Sequence, residues 1–248
     1  MTMSSAQTIA KYFNRAAPVY DEAASVQSRV AQLLLRRAAI SVPSPTTILD
    51  IGCGTGFVSI AAHKLWPKAK ITALDHAYAM VRQTKVKAPC LQTIVSDITE
   101  INFGSTFDLV LSSMMLHWIP NPYAELLRWR KWLKPKGRIQ VSLLTEGSFQ
   151  EWRELCKQAS VKDGLWPMPR ADFADHVDCQ SSSEIINIAY SSAHDFLQRL
   201  KITGAAMPQA GYRSLNPAAM RQLLREAPKP FTVSYRVLYL EIVAPSSI

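Results

Sequence analysis

Three glycines at alternate positions, Gly52, Gly54 and Gly56, follow a short apolar run carrying an acid, Asp50, in TTILDIGCGTGFVSI (46–60). Past them the apolar residues Val58, Ile60, Ala61, Ala62 and Leu65 fall at helical spacing. A strand, a Gly-rich turn and a helix in that order begin a doubly wound α/β domain. The backbone there can approach a ligand closely and the helix N-terminus faces it. The spacing is G-x-G-x-G rather than the G-x-G-x-x-G that dinucleotide phosphates require. An acid beside a phosphate repels it, whereas beside a cationic or ammonium-bearing ligand it attracts. Two further acids, Asp75 and Asp97, end the next two apolar runs, KITALD and CLQTIVSD. A carboxylate at the tip of a second strand can accept both hydroxyls of a ribose. Asp97 with the backbone of Ile98 can receive the exocyclic amine of an adenine, and Met80 can pack on the base. Together these residues point to a nucleoside-bearing ligand.

The elements that must hold them alternate along the chain. Helices are expected over 5–16, with Ile9, Tyr12 and Phe13 on one face, and over 23–39, with Val26, Val30, Leu33, Leu34 and Ala38 buried. Neither adds to a sheet, so both are expected to pack across the mouth of the ligand site. Strands are expected at 48–50, 70–75, 90–95, 107–111 and 138–144, with helices at 77–85 and 123–133 between them. After 145 the rhythm changes to a helix at 148–157, a Pro- and Asp-rich loop, and a strand at 185–190. A helix at 193–201 follows, capped by Ser192 with Asp195 in the box position and ended by Gly204. Asn216-Pro217 starts another at 218–227, and 231–243 reads as a terminal strand.

With 248 residues, 48% hydrophobic and 19% charged, the chain has the composition of one large globular α/β domain. A net charge of +9 points to an acidic partner: nucleic acid, an acidic protein or anionic lipid. The N-terminus lacks a basic-then-apolar signal, so secretion is not expected. The run 109–124 is too short to span a bilayer. Cys53, Cys90, Cys156 and Cys179 form no C-x-x-C and no zinc spacing, so free thiols in a reducing cytoplasm and no metal are expected. No Ser-His-Asp order, H-E-x-x-H or Walker loop is found.

The glycine turn with its acid resembles motif I of the class I S-adenosylmethionine-dependent methyltransferases. The segments KYFNRAAPVYDEAASVQ, SSMMLHWIPNP, SLLTEGSFQEW, FLQRLKITGA and PFTVSYRVLYLEIVA extend the likeness over nearly the whole chain. Together they resemble the malonyl-(acyl-carrier protein) O-methyltransferases of the pimeloyl arm of biotin synthesis. That resemblance implies a Rossmann-like α/β fold with a seven-stranded, mostly parallel sheet in the order 3-2-1-4-5-7-6. It implies an N-terminal helical lid (1–45), a cofactor-binding core (46–144), a helical lid insertion after strand five (145–184) and a C-terminal part of the sheet (185–248). It also implies a cytoplasmic, monomeric enzyme using S-adenosylmethionine to esterify the free carboxyl of malonyl-acyl carrier protein, with neither nucleic acid nor membrane as partner.

The cofactor side is then expected to comprise Asp50, Gly52, Gly54, Gly56, Asp75, Met80, Asp97, Ile98 and Ser112. On the substrate side, Tyr20 matches the family's tyrosine and can donate to a carboxylate or simply pack. His117 can donate to the malonyl carbonyl or be satisfied by backbone. Lys201 can meet malonyl or a phosphopantetheine phosphate, or act as a cation at a helix C-terminus. The run RWRKWLKPKGR (128–138) is the densest basic patch, either greeting an acidic carrier or forming a solvated face, with Trp129 and Trp132 anchoring its helix.

Two departures matter. The segment after Asp97 lacks the family's usual proline. Where the family reads S-N…Q-W, this chain has Ser112-Ser113…His117-Trp118. The L-H-W form is similar to relatives of the mitochondrial complex I assembly factor, which hydroxylates an arginine. The rival readings are therefore a methyltransferase of a small free acid and a cofactor-binding relative that does not methylate. An RNA methyltransferase draws only on the charge, since SSMM replaces the D/N-P-P-Y/F of base amino methyltransferases. Cys90 follows a proline, as in cytosine-C5 enzymes, but precedes the third strand and reads as a buried thiol.

Overall fold

The computed structural model describes residues 5–104, 106–209 and 211–244. Residues 1–4 of the expected lid and 245–248 of the expected C-terminal part lie outside the described residues. Seven strands form one sheet: β1 (Thr47–Ile51), β2 (Lys70–Asp75), β3 (Gln92–Val95), β4 (Phe107–Ser113), β5 (Leu133–Leu144), β6 (Cys179–Tyr190) and β7 (Phe231–Val243). Their order is β3-β2-β1-β4-β5-β7-β6. The first five run parallel, and β7 is antiparallel to both β5 and β6. β1 lies at the centre because Ile48, Leu49 and Ile51 are buried on both faces, as a doubly covered parallel strand requires. β7 is longer than its neighbour, so Phe231 to Arg236 pair with β6 alone, beyond the last residue of β5.

Nine helices are described: α1 (Ser5–Ala16), α2 (Tyr20–Ala23), α3 (Ser25–Ser41), α4 (Phe57–Leu65), α5 (Tyr78–Lys87), α6 (Pro122–Arg130), α7 (Gln150–Gln158), α8 (Ala193–Ile202) and α9 (Pro217–Glu226). α3 does not cross the mouth as expected. Its Ala31, Leu35 and Ala38 pack with Ile48, Val58 and Leu109, and its Val26, Val30 and Leu34 join Trp152, Phe196 and β7, so it covers a face of the sheet. α8 and α9 start at the expected caps: Ser192 Oγ accepts the Asp195 N–H at 3.2 Å and Asn216 Oδ1 accepts that of Ala219 at 2.8 Å. Asp195 turns back to Ser191 rather than to the cap residue, so the box is shifted by one.

Two strands begin earlier than expected. β5 starts at Leu133 and passes through Pro135 and Gly137 where its register with β4 shifts. A Cβ at Gly137 would lie 2.8 Å from the Lys134 carbonyl oxygen and 2.9 Å from that of Phe107, which explains the glycine. The helix expected through 133 therefore stops at Arg130. β6 starts at Cys179 because the polar stretch CQSSSE forms a mostly exposed edge strand with no apolar alternation to read. The expected insertion boundary at 184 thus falls inside a strand. Cys90 is exposed rather than buried: it sits in the turn before β3, 3.4 Å from His63 Nε2.

Candidate active site

The turn after β1 is closed by β2. The N–H groups of Gly52 and Cys53 donate to the Leu74 carbonyl at 2.8 and 2.9 Å. Gly52 sits at φ +71°, and a Cβ there would lie 2.3 Å from Met115 Cγ, so no other residue fits. Gly54, at φ +55°, has nothing within 4 Å of where a Cβ would stand, because it faces a cavity. Its N–H donates to Asp75 Oδ2 at 2.9 Å, while Asp75 Oδ1 accepts the Ala77 N–H at 2.8 Å. Each carboxylate oxygen keeps a further lone pair, the geometry that receives two neighbouring hydroxyls. Burial pushes the Asp75 carboxyl above its ordinary pKa, and the two backbone N–H groups oppose that rise. A half-buried carboxylate with spare acceptor capacity beside an open glycine fits the adenosyl group that the resemblance implies.

The cavity measures about 300 Å³ and is lined by Gly52, Gly54, Asp75, Met80, Asp97 and Ile98, all expected from the sequence. Ile9 and Phe13 come from α1, the helix expected across the mouth, while the rest of the wall, Ser113 at the end of β4 and Met114, Met115 and Trp118 after it, was not expected. α1 is held there because Asn14 Oδ1 accepts the Ala79 N–H at 2.7 Å, capping the first turn of α5 from outside the helix. Phe13 meets Trp118 edge-on at 5.6 Å. The helix and its place at the mouth were expected from the sequence, but not its partners Trp118 and Ala79.

Asp97 Oδ1 accepts the Thr99 N–H at 2.9 Å and its hydroxyl at 2.8 Å, while Oδ2 lies 3.7 Å from His76 Nδ1. The segment after Asp97 has no helix or strand of its own, and α6 fixes it from behind. Arg128 Nη1 donates to the Ile101 carbonyl at 2.6 Å and Nη2 donates to that of Ile98. The same guanidinium pairs with Glu125 at 2.6 Å and lies over the Trp132 ring, 4.8 Å from its centroid. Trp132 Nε1 in turn donates to Asn102 Oδ1 at 2.7 Å. Arg128 thus faces inward instead of belonging to a surface patch.

Three expected cofactor residues do not line the cavity. Asp50 is fully buried behind the turn, where Ser59 Oγ donates to Oδ2 and Oδ1 has no partner among the described residues. Burial pushes its carboxyl up to about 7, with the Ser59 bond opposing and the Asp75 charge reinforcing the rise. Gly56 serves packing: a Cβ would lie 2.9 Å from Ile60 Cδ1 and 3.0 Å from Thr84 Oγ1. Ser112 points into the protein, and its neighbour Ser113 lines the cavity instead, since successive residues of a strand face opposite ways.

A second, smaller cavity of about 30 Å³ adjoins the first and shares Phe13, Tyr20, Met114 and Trp118 with it. Met114 stands between them at φ +57°, a conformation a non-glycine residue rarely adopts. His117 lines only the smaller cavity. Its Nδ1 accepts the Leu144 N–H at 3.3 Å, and burial lowers its pKa to about 3. The ring is therefore neutral, with its proton on Nε2. Tyr20 borders both cavities, and burial, then Asp75 and Asp21, raise its phenol. Next to it, Asp21 accepts the Thr55 hydroxyl at 2.6 Å and pairs with Lys87, tying α2 to the glycine turn.

Lys201 is exposed in the last turn of α8 and lines neither cavity. The basic run 128–138 lies largely at the amino ends of β4 and β5, opposite the cavities, with Trp129 and Trp132 buried. Arg128, Arg130, Lys134 and Arg138 are paired with Glu125, Asp178, Asp108 and Glu241. Among the described residues, no group of three or more His, Cys, Asp or Glu could hold a metal ion. Nor, among those residues, is any helix long and apolar enough to cross a membrane.

A family model described as a methyltransferase domain matches residues 48–137. The sequence is 31% identical over 236 residues to the biotin biosynthesis bifunctional protein of Bordetella avium, covering 89% of this chain and 48% of that protein. The chain thus spans about half the length of that relative. It is also 31% identical over 249 residues to the malonyl-(acyl-carrier protein) O-methyltransferase of Magnetococcus marinus, covering 93% of this chain and 90% of that one. Among solved structures it is similar to the YcgJ protein of Bacillus subtilis (TM-score 0.58, 13% identity, 87% of this chain and 100% of that one). Coclaurine N-methyltransferase bound to N-methylheliamine and S-adenosylhomocysteine matches with TM-score 0.50 and 15% identity, over 84% of this chain and 69% of that one.

Proposed function

This chain belongs to the malonyl-(acyl-carrier protein) O-methyltransferases, and from that premise we propose that it converts the free carboxylate of malonyl-acyl carrier protein to its methyl ester, using S-adenosylmethionine. The observation that carries this reading is the pair of adjoining cavities. The larger holds the glycine turn and Asp75, and the smaller is mostly apolar and walled by the neutral His117. A nucleoside in the first and a short acceptor in the second would meet at Met114 and Tyr20.

When bound, S-adenosylmethionine supplies a methyl group on a sulfonium, and transfer breaks that C–S bond while a C–O bond forms to the acceptor. The chain's own residues have mainly to orient and desolvate. Asp75 takes the ribose hydroxyls, Asp97 and Ile98 the adenine edge, and Met80 and Ile9 the faces around them. The acceptor carboxylate is ionised at neutral pH, so the site needs no general base. A neutral imidazole donating from Nε2 suits this, because His117 can hold the malonyl carbonyl without having to titrate. The Tyr20 hydroxyl, kept protonated by burial, can donate to a carboxylate oxygen. The esterified malonyl group has lost a charge that an apolar elongation site would resist. Asp50, Gly56 and Ser112 support the turn and the β4 tip without touching ligand, and Lys201 belongs to the surface. Acyl carrier protein is the partner in this reading, with no role for nucleic acid or membrane, and the enzyme acts as a cytoplasmic monomer.

The test is incubation with methyl-labelled S-adenosylmethionine and, separately, malonyl-acyl carrier protein, malonyl-CoA and free dicarboxylic acids. Label on the carrier protein that mild base releases as methanol is the expected result. Transfer to free acids alone would favour a small-acid methyltransferase. Tight cofactor binding with no transfer to any of them would point to a non-methylating relative.

A further inference from the structure

The connection between β6 and β7, residues 191–230, lies at the end of the sheet that holds both cavities. β6 runs in the direction of β5, since each is antiparallel to β7, and Leu144 at the end of β5 pairs with Val237. Tyr190 and Phe231 therefore stand beyond the carboxyl edge of β5, and α8 and α9 are strung between them. The end of α8 and the chain after it wall the smaller cavity through Leu200, Thr203 and Ala205.

This connection holds Arg199, Lys201, Arg213, Arg221, Arg225 and Lys229 against only two acids, Asp195 and Glu226. Asp195 faces Arg199 at 3.6 Å, and Glu226 accepts the Gln222 amide at 3.0 Å. Lys201, Arg213, Arg221 and Arg225 are exposed and, among the described residues, in no ion pair. Arg221 and Arg225 are one turn apart on α9 and share a face, while Leu223 is buried on the other side. An open groove lined by Lys157, Lys162, Gln209 and the Arg153–Asp163 pair borders this connection, and its two lysines are in no ion pair among the described residues. The contrast with the basic run 128–138 is direct. There four cations are neutralised by partners, and the face lies at the opposite end of the sheet.

We propose that the face made by α9, the end of α8 and the adjoining lysine groove docks the acyl carrier protein; this deepens the function proposed above and rests on it. Acyl carrier proteins are small and strongly acidic, and their acceptor group hangs on a phosphodiester-linked arm. An unpaired positive face beside the acceptor cavity draws such a partner in and holds it where the arm can enter.

The experiment compares the wild type with Arg221→Glu/Arg225→Glu and with Lys131→Glu/Lys136→Glu, reading KM and kcat for malonyl-acyl carrier protein at two salt concentrations. The affinity for S-adenosylhomocysteine is measured alongside, to report an intact pocket. Reversal on α9 is expected to raise KM about 10-fold at low salt, with kcat and S-adenosylhomocysteine affinity unchanged and the salt dependence of KM flattened. Reversal at Lys131 and Lys136 is expected to leave KM unchanged. An unchanged KM in the α9 variant, or an equal rise in the other one, overturns the docking face. A wild type that methylates other acceptors but never the carrier overturns the function it rests on, and the docking face with it.

Discussion

Replacing Asp75 should weaken ligand binding at every pH and change stability in a pH-dependent way. Its carboxylate accepts one backbone N–H at each oxygen, from Ala77 at 2.8 Å and Gly54 at 2.9 Å, and has lone pairs left for two ribose hydroxyls. A hydrogen bond to a charged group contributes about 1.5–3 kcal/mol. Asp75→Ala loses both ribose bonds, on the order of 3–6 kcal/mol, which weakens S-adenosylhomocysteine binding by roughly 10²–10⁴-fold. Asp75→Asn keeps one acceptor oxygen and should weaken binding by roughly 10–100-fold. Burial raises the folded pKa of Asp75, so without ligand the folded state resists ionisation more than the unfolded chain does. Above that raised pKa the charge opposes folding, and removing it should help. The amide nitrogen of Asp75→Asn cannot accept one of the two backbone N–H groups, so the variant loses one internal hydrogen bond. It is nonetheless expected to gain on wild type in Tm as pH rises above the ordinary carboxylate range, while binding far more weakly. Titration calorimetry with S-adenosylhomocysteine and thermal unfolding without ligand provide the two readings. Affinity within threefold of wild type for a folded Asp75→Ala would refute the ribose assignment. A stability gap between Asp75→Asn and wild type that does not change with pH would refute the electrostatic reasoning.

Two further outcomes follow from groups beside the cavity. Arg128 clamps the Ile98 and Ile101 carbonyls behind the expected adenine wall, so Arg128→Ala should raise the Kd for S-adenosylhomocysteine about 10-fold. It should also reduce discrimination against the inosine analogue, which lacks the exocyclic amine; a lower Tm with discrimination intact would make Arg128 merely structural. Asp50 has its folded pKa near 7 against an ordinary value of about 3.9, so its protonated form stabilises the fold at low pH and that advantage is lost as pH rises towards 7. Denaturant unfolding should find Asp50→Asn gaining on wild type between pH 4 and pH 8, by up to about 4 kcal/mol. A gap independent of pH would mean that Asp50 is not a buried titrating carboxyl.

What the sequence determined was local. Alternate glycines after an apolar run dictate a strand, a tight turn and a helix, because only glycine takes the positive φ at Gly52 and the close approach of Met115. Caps at Ser192 and Asn216 carry their signal in one side chain, and β7 kept its expected bounds because β-branched and aromatic residues run without interruption. Asp75, Asp97 and Ile98 line one cavity because strand ends in a parallel sheet converge on one edge. What the tertiary structure decided was which way side chains face and what they meet. The parity that buries Ser112 and presents Ser113 depends on where β4 pairs, and Asp50 is drawn behind the turn by Ser59. Polar CQSSSE becomes a strand only because β7 offers an edge to pair with. Arg128 reads as one more cation in a basic run until Glu125 and two loop carbonyls turn it inward. α1 was legible as an amphipathic helix expected at the mouth, but the contacts that seat it, Asn14 on an N–H sixty-five residues away and Phe13 on Trp118, are tertiary. Local periodicity and turn chemistry fix the elements; the partners that choose a face are distant in the chain, and a linear reading has no measure of that distance.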